Sequence, residues 1–236
     1  MMTYTRILAI DTATGIQALA LVDGDTQVAR RHHTTRGNHA DTLLHNIHDM
    51  LTQQRWSIED LDLVACGLGP GSFTGLRVGL ANAKALAVSA GAVVAGVSTL
   101  AAIARPVAAL TSEPIVSVVD ARRLEMYVGV YQMIDGTFHN VLPDVAVGPE
   151  EFLSLLDRFP NAVVVGSGHH PYVSTEQLPK AVTVLHSGWD SPSPFSLATL
   201  TRAAVLTSGP PDIVALEPNY IRPSDAEANL KARLAT

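Results

Sequence analysis

At 236 residues, with 47% hydrophobic and 16% charged positions, the chain has the make-up of one large globular domain or two modest ones, which excludes a disordered protein. Its net charge is −6, and its nearest basic run, Arg30-Arg31-His32-His33, is too short to grip nucleic acid unaided, so any RNA is expected to be held through a partner. The single cysteine, Cys66 in the apolar string LVACGLG, excludes an internal disulfide and a cysteine-based zinc site, and nothing beside it favours a thiolate.

In chain order, RILAID (6–11), IQALALVDG (16–24) and TQVARRHH (26–33) read as a three-stranded meander with turns at TATG and DGD. The segment 39–54 places Leu43, Leu44, Ile47, Met50 and Leu51 on one helical face, with Asn38 as its expected cap. LDLVACGLG (61–69) reads as a buried strand, followed by a glycine loop and a helix to about Ala90, then a strand over 93–98. TLAAIARPVAAL is helical until Pro106 interferes. A second block begins near Glu113 with two strands around a turn at 120–123, and a further turn at DGT. It continues as a capped helix over 148–159, a strand running into a glycine turn over 161–168, and a helix over 195–209 ended by glycine and two prolines. The remaining tail is polar. Two blocks of similar plan imply a duplicated α/β architecture, divided into residues 1–105 and 106–236, with a C-terminal helix that can pack back on the first block. No apolar run approaches the roughly 20 residues of a membrane-spanning helix, and the N-terminus lacks a signal-peptide core, so a soluble cytoplasmic protein is expected.

The stretch GLGPGSFTGLRVGLANAKALA (67–87) carries the chemical question. Glycines at 67, 69 and 71 with Ser72 as a cap, opening a helix, make a possible anion site. The spacing fits neither a P-loop, which needs a Lys after the last glycine, nor a dinucleotide fingerprint, whose third glycine would fall on Ser72. A tight strand-to-helix turn satisfies the same residues. Within the helix, Gly75, Gly79, Ala83 and Ala87 recur every four residues. Interior glycines cost about 1 kcal/mol each relative to alanine, so the small-residue stripe calls for a close approach, either inside the domain or at a subunit interface.

Together, ILAIDTAT, the glycine stretch, GVSTLAAIA, VVDARRLEMYVGVY and EPNYIR resemble the TsaB (YeaZ) family, in matching order from Ile7 to about Arg222. The resemblance implies an actin-like ATPase (sugar kinase/Hsp70-type) fold of two related α/β subdomains. It also implies a scaffold role in bacterial synthesis of N6-threonylcarbamoyladenosine (t6A) at position 37 of tRNA. In that system TsaB is the non-catalytic partner of the transferase TsaD, and the ATPase TsaE joins them. TsaD-like chains carry a His-x-x-x-His metal pair where this sequence has Thr99 and Ile103, so neither a metal nor a cofactor is expected. Partner-interface candidates are Leu43, Ile47, Gly75, Gly79, Ala83 and Ala87, on a surface that also allows a homodimer when the chain is alone; tRNA is expected only through the complex. Asp11, Gly69, Gly71 and Ser72 are candidates for a vestigial phosphate loop. The alternatives are an ATP-dependent kinase or transferase using Asp11 and the 69–72 loop, and a metallopeptidase-like glycoprotease, the older label of these relatives.

Other polar groups read as surface. His39, His45 and His48 lack a convincing metal spacing, and His32 and His33 point to opposite sides of a strand. Arg122, Arg123 and Glu125 form a polar turn that could meet a partner, with an ordinary surface turn as the simpler reading. No G-x-S-x-G elbow occurs.

Overall fold

The computed structural model describes residues 3–34, 40–186 and 188–223, with the backbone alone for Ala40 and Asp41. β1 (Arg6–Asp11), β2 (Ile16–Asp23) and β3 (Thr26–Thr34) form the expected meander. β4 (Leu63–Gly67) and β5 (Val93–Val97) then add in parallel on the other side of β1, giving the order β3-β2-β1-β4-β5. The central strands β1 and β4 are nearly all apolar because helices cover both faces. α1 (Ala40–Gln54) and α2 (Phe73–Ala90) supply Leu43, Ile47, Leu80 and Ala83 to the core on one face. α5 (Pro194–Ser208) returns to the opposite face, where Leu197, Ala198 and Val205 pack on Ile7, Ala9 and Leu63.

The second sheet repeats the plan. β6 (Ile115–Arg122), β7 (Glu125–Ile134) and β8 (Thr137–Val147) are an antiparallel meander, and β9 (Val163–Val165) and β10 (Thr183–Val184) extend it in parallel from β6. Its order, β10-β9-β6-β7-β8, is the first sheet's order element for element. α4 (Pro149–Arg158) covers one face through Phe152, Leu155 and Leu156. α3 (Thr99–Ala104), which joins the two halves, packs Leu100 and Ile103 on the other face against Ile115, Tyr127 and Tyr131. It ends just before Arg105-Pro106, where the sequence places the break.

Two differences from the sequence reading stand out. β8 was not expected beyond its opening turn. Its proline and polar residues are tolerated because it is the edge strand, with register shifts where it meets Val130. Residues 209–223 form an irregular strap with a turn at 213–215: Ile213 and Leu216 pack against the core of the first half, and Ile221 against that of the second. The expected cap Asn38, and His39 beside it, lie outside the described residues.

Candidate functional site: the glycine loop and the α1/α2 face

The end of β1 and the glycine loop form one interlocked unit. Asp11 is fully buried: its Oδ1 accepts from Ala13 N–H at 2.9 Å and its Oδ2 from the Thr99 hydroxyl at 2.8 Å. Burial outweighs both hydrogen bonds and pushes its pKa up to about 6. Gly67 is required beneath it, since a Cβ there would stand 2.0 Å from Asp11 Oδ2.

The loop's own polar groups are taken up by the chain. Leu68 N–H donates to Val97 O at 2.9 Å, Gly69 O accepts from Thr99 N–H at 2.8 Å, and Ser72 N–H donates to Ala13 O at 2.7 Å. The Ser72 hydroxyl caps α2 by accepting from Gly75 N–H at 3.3 Å, as the sequence predicts. Gly71 lies against Ala13 O with no room for a side chain. The structure therefore brings Asp11, Gly69, Gly71 and Ser72 together at one strand-to-helix turn, whose polar groups are bound by the chain itself.

The small-residue stripe of α2 has a definite partner inside the chain. A Cβ on Gly75 would lie 2.1 Å from Thr12 O, and one on Gly79 would lie 2.2 Å from Thr12 Oγ1. The Thr12 hydroxyl in turn donates to Gly75 O at 2.7 Å. Ala83 and Ala87 continue the stripe at zero exposure, in the same core as Leu43 and Ile47. This corrects the reading of Leu43, Ile47, Gly75, Gly79, Ala83 and Ala87 as partner-facing: all six are enclosed by this chain, and the close approach is between α2 and the turn after β1. Four-residue spacing marks a buried seam without saying whose backbone lies across it.

The exposed sides of the same helices have a different composition. Leu44 of α1 is 52% exposed and Val88 of α2 is 69% exposed. His45 and His48 stand beside Leu44, and Arg77, Ala81 and Ala85 also face outward from α2. α2 contains Arg77 and Lys84 and no acidic residue, in a chain of net charge −6. At its N-terminal end the Arg77 guanidinium lies 3.9 Å over the Phe73 ring and its Nε donates to the Tyr220 hydroxyl at 3.0 Å. Tyr220 belongs to the strap, which also donates Asn219 N–H to Leu68 O at 2.7 Å. Further on, Arg222 pairs with Glu125 at 2.7 Å and donates to Ala121 O at 2.9 Å. Glu125, read from sequence as a surface group, is thus an anchor for the strap, whereas Arg122 and Arg123 are exposed.

Among the described residues no three His, Cys, Asp or Glu side chains are grouped to hold a metal ion. Cys66 is buried, and burial pushes its thiol up, away from a reactive thiolate. Thr99 and Ile103 are buried at 0% and 2% exposure. Several buried polar groups escaped the sequence reading, Thr12 and His169 among them. His169 is 1% exposed, stacks near Phe152, and has no hydrogen-bond partner for either ring nitrogen among the described residues. Burial first, then the neighbouring His170 and His186, lower its pKa to about 4. His169 directly follows the glycine turn of 161–168, a place that carries no mark of burial.

Two sheets of identical order, each opened by a meander and extended by parallel strands, with a glycine loop at the end of β4 facing the β1 carboxylate, define an actin-like ATPase fold of two related subdomains. The model of a family described as TsaD, tRNA N6-adenosine threonylcarbamoyltransferase, matches residues 31–204. The TsaB protein of Bacillus subtilis, named as a tRNA threonylcarbamoyladenosine biosynthesis protein, is 31% identical over 94% of this chain and 96% of its own length. Its namesake in Escherichia coli is 34% identical over 69% of this chain and 71% of its own. The solved structure of YeaZ from Pseudomonas aeruginosa superposes with a TM-score of 0.79 at 25% identity, covering 92% of this chain and 99% of that one. The chain belongs to the TsaB (YeaZ) family. Among the described residues no helix is long and apolar enough to cross a membrane.

Proposed function

We propose that this chain is the non-catalytic scaffold subunit of the tRNA t6A37 modification system, which binds and activates a TsaD-type transferase together with a TsaE-type ATPase. The place in t6A biosynthesis rests on the names of the relatives. The non-catalytic role rests on one observation above all. Asp11, the carboxylate at the position where an actin-like enzyme would meet phosphate and metal, is fully buried with both oxygens bound to its own chain. A carboxylate so enclosed has no open side for a ligand, and burial moves its ionisation up to about pH 6.

Scaffolding then falls to the surface. The outward sides of α1 and α2, with Leu44, Val88 and the Phe73–Arg77–Tyr220 stack, combine exposed apolar groups with aromatic and arginine side chains of the kind that anchor protein interfaces. A partner docked there is a TsaD-type chain, or a second copy of this chain when it is alone. tRNA is held through the complex, in keeping with the negative net charge. The test is reconstitution of the modification with TsaD- and TsaE-type partners, with and without this chain, read by mass spectrometry of tRNA nucleosides. Loss of t6A when the chain is left out, with full t6A in the presence of an Asp11→Asn variant, is the expected result.

A further inference from the structure

Ser98, the N-cap of α3, and Thr99, its first residue, are consecutive, and each hydroxyl holds a carboxylate from a different sheet. Thr99 donates to Asp11 at the end of β1, at 2.8 Å. Ser98 donates to Asp144 on β8 of the second sheet, at 2.5 Å. The other oxygen of Asp144 accepts from the Tyr131 hydroxyl on β7 at 2.5 Å, and the Ser98 and Tyr131 oxygens lie 3.2 Å apart, so the three side chains close a ring. Tyr131 is 1% exposed, and its ring stacks on Phe138 with centroids 5.4 Å apart. The site is made to measure: a Cβ on Gly129 would stand 2.3 Å from Asp144 Oδ1 and 3.0 Å from the Tyr131 hydroxyl.

The same two residues also hold backbone on the first-sheet side. Ser98 caps α3 by accepting from Leu100 and Ala101 N–H, and Thr99 N–H donates to Gly69 O in the glycine loop. With its acceptor capacity spent on the helix, the Ser98 hydroxyl is directed as a donor at Asp144. Charge-assisted bonds to a carboxylate are among the stronger hydrogen bonds available to a protein.

We infer that Ser98 and Thr99 form a clamp that couples the two subdomains: the glycine loop and Asp11 on one side, and β7–β8 on the other, are held through adjacent hydroxyls and shift together or not at all. A displacement of the glycine loop is then transmitted to the edge of the second sheet through these hydrogen bonds. The inference does not depend on which partner the chain binds.

Hydrogen exchange of the full chain, followed by mass spectrometry, tests it. In Ser98→Ala, exchange is expected to rise about tenfold in β8 (137–147) as well as around α3, because a bond to a charged group is lost on the far sheet. In Asp144→Asn or Tyr131→Phe, the rise is expected in the glycine loop (67–72) as well as in β8. Ser98→Thr, which keeps a hydroxyl and a cap, is expected to restore wild-type exchange. Tyr131→Phe removes one hydroxyl and keeps the core volume, so it serves if the other variants fail to fold. Changes confined to the sheet that carries the substitution would overturn the clamp, as would a Ser98→Thr variant no better than Ser98→Ala.

Discussion

Adding one methyl group at position 79 tests whether the α2 stripe is an internal seam. In an exposed helix, Gly79→Ala would stabilise by about 1 kcal/mol. Here the new Cβ would stand 2.2 Å from Thr12 Oγ1, so Thr12 must turn away and give up its bond to Gly75 O. Overpacking of this kind costs about 1–3 kcal/mol. The balance is a net loss of about 1 kcal/mol, a fall in Tm of roughly 2–4 °C for a chain of this size. The control is Thr12→Ala, which itself costs about 1 kcal/mol through the lost hydrogen bond. In that background the obstacle is gone, and Gly79→Ala is expected to become neutral or stabilising. Gly75→Ala behaves differently, because its Cβ would meet the Thr12 backbone oxygen at 2.1 Å, and removing the Thr12 side chain gives no relief. Thermal melts of the double-mutant cycle read all of this. A Gly79→Ala variant that is stabilised in the wild-type background, or equal costs with and without Thr12, would refute the seam and return the stripe to a partner surface.

Further expectations follow from burial and charge. Asp11 has a folded pKa of about 6 against 3.8 for the free group, so its contribution to stability is full below pH 3.8 and is lost as pH rises to about 6. His169, lowered from 6.5 to about 4, works the other way: its contribution is full above pH 6.5 and is lost as pH falls to about 4. Relative to wild type, Asp11→Asn is therefore expected to lose stability more steeply on acidification between pH 6 and 4, and His169→Phe less steeply, in denaturant titrations across that range. Leu44→Asp and Val88→Asp are expected to leave Tm within about 1 °C, because both side chains are exposed, and to weaken binding to a TsaD-type partner about tenfold or more by calorimetry; unchanged binding in both would move the interface elsewhere. Arg222→Ala removes the pair with Glu125 and the bond to Ala121 O, and is expected to speed proteolytic cutting within 209–223 while leaving the sheets protected.

Much of the fold was legible because its central strands and helices are patterned locally. β1, β4 and β5 are short apolar runs, and α1 shows its buried face through Leu43, Ile47, Met50 and Leu51. β8 was illegible because an edge strand needs no alternating pattern, and Pro143 argues locally against one. The site was half legible. GPGSFTG announced a turn and a cap, and both are there. Thr12 carries no sequence mark of its place against Gly75 and Gly79, so the stripe could be seen while its partner could not. Likewise Ser98, Tyr131 and Asp144 are far apart in sequence and meet only because β5, β7 and β8 converge on one spot. His169 sits in a glycine turn, where a histidine is ordinarily solvated, and is buried because the turn folds in over Phe152.

The most direct test of the scaffold role is the t6A content of tRNA in a reconstituted reaction containing TsaD- and TsaE-type partners, ATP and the threonylcarbamoyl donor, compared for no added chain, wild-type chain and Asp11→Asn. The expected result is little t6A without the chain and equal t6A with the wild type and the variant. Full modification without the chain, or a collapse of t6A with a folded Asp11→Asn variant, would contradict it.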